Sequence, residues 1–216
     1  MNFKGVVKAC RKLFLAEVLC VMAVIAETAA LLYLTLNNFS VAAAGEMFRE
    51  SAETAEQLIP FAVFSAGGLL LFLAAFIVTL AGLARGAHDE RNFRCALGVE
   101  LLMIGLTAAV YVIGRSNPQA ARWLNVLTTV AQLSVSLLVI IGIKRAADSL
   151  GRKDVSELSD RTQKRLICTF VFSVILELLA VLFFVNAPVL LLLILGLLLV
   201  SCVIYMRVLA KAGAMA

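Results

Sequence analysis

The chain has 216 residues, of which 62% are apolar and 15% charged, against about 25% charged in an ordinary soluble domain. A mean hydropathy of +1.01 excludes a disordered chain, a coiled coil and nearly every soluble fold, because too few polar residues remain to cover a surface facing water. The net charge of +5 does not point to nucleic acid, since the basic residues sit at the ends of apolar runs, where they orient a membrane protein.

Six apolar runs are long enough to cross a hydrocarbon core of roughly 30 Å as helices. Continuous apolarity, rather than alternation over about ten residues, predicts helices and not a barrel. The first run, 13–36, follows a foot containing Lys4, Lys8, Arg11 and Lys12. It is too long for a signal-peptide core and contains Glu17, and Leu19 before Cys20 does not suit a lipoprotein site, so it reads as a retained span. The link 37–57 carries Glu46, Glu50, Glu53 and Glu56 against Arg49 alone. Their three- and four-residue steps suggest a short helix at 41–57 lying on the outer surface, with a solvated acidic loop as the alternative. The second run is 58–84, and its following link holds Arg85, Arg91 and Arg94. The third, 95–114, leads through Arg115, Asn117, Pro118 and Arg122 into the fourth, 123–143. The link 144–165 has seven basic residues and reads as a helix extended beyond the membrane. The fifth run, 166–185, turns through Asn186, Ala187 and Pro188 into the sixth, 189–209.

All but three of the 19 basic residues then fall on one side, the exceptions being Arg49, Arg115 and Arg122. The positive-inside bias predicts six spans with both termini in the cytoplasm, in the cytoplasmic membrane. The chain also divides into three helical hairpins within a single domain, each opening with a basic cluster and a cysteine: Cys10, Cys95 and Cys168. The predicted fold is all-α and polytopic. A repeat about an axis along the membrane normal is one explanation. The need of every inward-starting span for basic residues is the other.

Four glutamates fall inside predicted spans, where a charge costs on the order of 2.5–3.5 kcal/mol. Glu17 and Glu100 sit only about 6–8 Å from the basic boundary, within expected reach of interfacial water or of Arg11, Lys12 or Arg94. Glu177 lies about 16–17 Å deep and Glu27 roughly 20 Å deep at the same rise. Helical phase supplies company: Asn125, Thr129, Gln132 and Ser136 on the fourth span, Thr107 and Tyr111 with Glu100 on the third, and Ser173 with Glu177 on the fifth. Polar faces are expected to turn inward, so spans 1, 3, 4 and 5 should line the interior and spans 2 and 6 lie at the periphery.

These residues suggest a site for a proton or small polar solute built on Glu177, Gln132, Asn125, Glu27 and Thr129, with Glu17, Glu100 and Tyr111 as secondary members. Arg115 and Arg122 are candidates for an anion or lipid headgroup. The expected function is a small transporter-like or channel-like unit. The alternative is a non-catalytic accessory or scaffold subunit, with the bilayer and another membrane protein or a second copy as partners. An intramembrane enzyme is a third and disfavoured reading, because no catalytic constellation is found: His88 is the single histidine, no cysteine pair has metal-binding spacing, and no nucleotide or nucleophile motif occurs. No cofactor or metal is expected, and the five cysteines read as free thiols.

Overall fold

Apolar runs of this length close their backbone hydrogen bonds within each segment, so they fold as helices. The computed structural model describes residues 3–37, 52–114, 116–182 and 188–215. For some helical residues, Arg122, Asn125 and Glu177 among them, it describes the backbone alone. The described residues form six helices: α1 (Lys4–Leu36), α2 (Ala52–Ala87), α3 (Arg91–Gly114), α4 (Pro118–Ser149), α5 (Lys153–Leu182) and α6 (Pro188–Gly213). Among the described residues, four stretches are long and apolar enough to cross a membrane: Lys4–Leu34, Leu58–Ala87, Arg91–Ile113 and Val126–Ser149. The protein is thus all-helical, with several helices of membrane-crossing length and apolarity.

Helix ends explain where the runs stop. The Asn117 side chain accepts the Ala120 N–H at 3.0 Å and Pro118 occupies the first turn, so this pair starts α4 in the usual way. At the other end Gly151 adopts φ 69°. The Arg152 N–H then reaches the Ala147 carbonyl at 2.9 Å and the Gly151 N–H the Asp148 carbonyl at 3.2 Å. This pairing closes a helix with a left-handed residue, a role that suits glycine. The link 144–165 is therefore two helical extensions joined by a turn, not one extended helix. The expected surface helix at 41–57 lies largely outside the described residues, and 52–57 begin α2.

The chain divides into two compact units, one of residues 1–14 with 78–216 and one of 15–77. In the first, α3 packs against α4, α4 against α5 and α5 against α6. Its core gathers Phe3, Val6, Val7, Cys10 and Leu13 of α1, Leu83 and Ala87 of α2, and Phe93 and Ala96 of α3. Val139, Ile140 and Ile143 of α4, Val155 and Leu166 of α5, and Tyr205, Val208, Leu209 and Ala212 of α6 complete it. These are the basic ends of all six helices. Phe93 is fully buried, and its ring lies against the Cα positions of Gly86 on α2 and Gly142 on α4. A methyl group at either glycine would overlap the ring, so three helices converge on one phenyl group because two of them lack a side chain there.

Polar contacts fasten the same end. Asp89, in the turn between α2 and α3, accepts the Gly5 N–H at 2.6 Å. It serves the start of α1, whose own first turn contains no acid and whose first amides have no partner within the helix. Arg11 donates from Nε to the Gly213 carbonyl at 2.8 Å, tying α1 to the end of α6. Lys144 and Asp160 pair at 2.7 Å between α4 and α5, and Arg145 lies 3.7 Å from Glu90. Along the apolar length of α6, Leu193, Val200 and Val203 are exposed, and its basic end carries the core residues.

In the second unit α1 and α2 face each other along a seam of small and aliphatic residues. Ala23, Ala30 and Leu34 are buried on α1, and Leu58, Gly68 and Ala75 on α2. Their spacings of four, seven and ten keep each set on one side of its helix, as in two helices packed side by side.

Candidate functional site: carboxyl groups at the helix seams

Phe93, Ala96, Glu100 and Met103 follow one face of α3 at steps of three, four and three. Phe93 and Ala96 lie in the core and Met103 packs against it. Glu100 is the third buried residue of this face, only 8% exposed. Beyond it along α3 no described residue is buried, and Leu101, Leu102, Ile104, Tyr111 and Val112 are exposed. Glu100 thus marks the limit of the packed core.

The local ion pair expected for Glu100 is not formed. Arg94 donates instead to the Ala87 carbonyl at 3.3 Å, and Arg11 is engaged with Gly213. Helical geometry gives the reason: a separation of six residues places two side chains about 120° apart around the axis and about 9 Å apart along it. Among the described residues Glu100 has no hydrogen-bond or ion-pair partner. A carboxylate held that way is unfavourable by several kcal/mol, about 3–5 where a buried pair loses one partner, and the neutral acid is the form such surroundings accommodate.

Glu27 occupies the seam of the other unit, one turn from Ala23 and one from Ala30. Its carboxyl group accepts a hydrogen bond from the Ser65 hydroxyl. It also fills the space beside Gly68, where an added Cβ would stand 2.6 Å from Oε1 and 3.1 Å from Cδ. The neighbouring Gly67 faces open space. One glycine of the pair therefore makes room for the acid and the other does not.

The remaining predicted residues differ in exposure among the described side chains. Glu17 and Thr129 are half-buried, whereas Gln132 and Thr107 are exposed and Tyr111 is 67% exposed. The polar stripes of α3 and α4 thus turn outward at these positions, contrary to the expectation that they face inward. Ser136 donates to the Gln132 carbonyl at 3.3 Å, a bond within the helix that leaves the amide side chain aside. Ser173 is buried and donates to the Thr169 carbonyl at 3.2 Å. Glu177 and Asn125 have described backbones only, as does Arg122, and Arg115 lies outside the described residues.

No group of three or more metal-ligating side chains forms among the described residues. Cys10 is buried, whereas Cys95 and Cys168 are exposed. Among the described residues, one acid is thus buried without a partner and one is held by a hydroxyl group. A scan against protein-family models, a search of curated proteins and a search of solved structures find no match to this chain.

Proposed function

We propose that the protein is a small, non-enzymatic multipass unit of the cytoplasmic membrane that moves protons or a small polar solute. Six spans, with both termini in the cytoplasm, follow from the basic residues at the helix ends. The observation that carries the reading is Glu100, buried without a described partner at the edge of the core. An acid in such a place exchanges a proton when water or a polar solute reaches it, because only then is its charged form stabilised. Glu177, Thr129 and Asn125 are further candidates along the path.

Flux in liposomes under an imposed pH gradient tests this. Wild-type protein is expected to exceed protein-free liposomes, and Glu100→Gln to fall to their level. Leu101→Ala, which alters a half-exposed neighbour on α3, should retain wild-type flux. Absence of flux in the wild type, or undiminished flux in Glu100→Gln, rejects the reading.

Gln132 favours a second reading, that of an accessory subunit. It stands exposed on α4 among Leu127 and Val130, which are 53% and 41% exposed. In lipid an outward amide gains from a hydrogen bond across to another helix, by about 0.6–2 kcal/mol. Gln132→Leu should then weaken a membrane complex, seen by crosslinking in native membranes, and leave flux unchanged. Intact crosslinking in that variant removes the second reading.

A further inference from the structure

The α1–α2 seam carries a polar pair, Glu27 and Ser65, beside buried apolar residues. Ala23 and Ala30 flank Glu27 on α1, and Leu34 packs with Leu58 and Phe61 farther along. Small residues draw the two helices close, so the acid cannot lie flat between them unless the facing helix leaves a gap. Gly68 leaves that gap, and Ser65, three residues earlier on the same face of α2, supplies the donor.

We infer that Glu27, Ser65 and Gly68 form a proton-binding site inside the α1–α2 hairpin, separate from Glu100 and its proposed transport role. The chemistry favours a proton over a metal cation. One carboxyl group and one hydroxyl group offer three oxygens, fewer than the six to eight that calcium takes or the six of octahedral magnesium. Among the described side chains of this unit, Glu17 is the one other charged group. Between Gln57 and Ala84 α2 has no charged residue, and the nearest on α1 is Glu17, ten residues away. These two helices are the described elements of that unit. Protonated, Glu27 accepts from Ser65 at one oxygen and retains an O–H at the other. Deprotonated, it keeps the Ser65 bond and loses its own donor. Ser65 thus holds the carboxyl group in place through both states.

A hydrophobic carbodiimide tests the site, because it modifies carboxylic acids in their protonated form within apolar surroundings. Full-length protein in lipid nanodiscs is treated with dicyclohexylcarbodiimide across a pH series, and modification at Glu27 is read by fragment mass spectrometry, which separates it from Glu17. Wild type should be modified at low pH and lose modification through a single titration as pH rises. Ser65→Ala and Gly68→Ala should displace that profile by on the order of one pH unit. Gly67→Ala, facing open space, should superimpose on wild type. Gly68→Ala meets only the flexible end of Glu27, and a thermal melt of each variant in the same nanodiscs reports folding. Absent or pH-independent modification of wild-type Glu27 overturns the inference. So does a folded Gly68→Ala profile that matches Gly67→Ala. The readout needs no flux, so it stands or falls apart from the transport reading.

Discussion

The basic ends of the helices and their apolar lengths are built on different terms. At the basic ends, side chains from all six helices pack on one another around Phe93, and hydrogen bonds to Asp89 and from Arg11 fasten the perimeter. Along the apolar lengths, large residues point away from the protein: Leu69 and Leu70 are each 67% exposed and Val112 is 68% exposed. The first region resembles the interior of a soluble bundle and the second presents itself to lipid. A carboxyl group has a different meaning in each. An acid on the perimeter of the basic end is an ordinary partner for an amide or a cation. An acid on a seam, as Glu100 and Glu27 are, has no such explanation.

The sharpest way to break this contrast is to empty the basic end. Phe93→Ala should destabilise the protein by about 3–5 kcal/mol, seen as a lower midpoint for exposure of the buried Cys10 thiol during thermal unfolding. Leu69→Ala, the same kind of truncation on an exposed position, should change that midpoint little, within about 0.5 kcal/mol. Similar losses at both positions would erase the distinction. A smaller effect is expected at the perimeter. Asp89→Ala removes the acceptor for the first turn of α1 and should cost about 1 kcal/mol, with Asp89→Asn recovering most of it. Weaker still is the Lys144–Asp160 pair, exposed by about a third to a half. Asp160→Asn should cost no more than about 1 kcal/mol, an effect that added salt diminishes. Acidification has the smallest reach. The hydrogen bond from Arg152 holds Asp154 below the usual carboxylate range. Its contribution is present above the unfolded value, about 3.9, and is lost as pH falls through the lower folded one. Because the side chain is half exposed to solvent, the melting temperature should not register it.

Much of the contrast can be read in the residues themselves. Phe3, Val6, Val7, Cys10 and Leu13 recur at three- and four-residue steps among Lys4, Lys8, Arg11 and Lys12. That is an amphipathic helix with a buried face, although the charges alone suggest only a foot for the first span. The helix start at Asn117-Pro118 is equally legible. Glu100 shows where local reading misleads: its distance from the boundary suggests an ion pair, yet the angle around the helix forbids it with Arg94. Other features depend on partners that lie far away in sequence. Nothing in Gly67-Gly68 indicates which glycine faces Glu27. Asp89 has no local sign of its role for Gly5, 84 residues earlier. The outward turn of Gln132 depends on how α4 packs, and its polarity alone suggests the opposite.

The protonation state of Glu100 tests the central claim most directly. Infrared difference spectra of wild type against Glu100→Gln, with glutamate labelled by carbon-13, separate a carboxylic acid carbonyl from a carboxylate. At neutral pH the account predicts a carboxylic acid band in the wild type that disappears in Glu100→Gln, and that loses intensity in the wild type at alkaline pH. A carboxylate signal alone at neutral pH would contradict it, because Glu100 would then be ionised and stabilised by its surroundings.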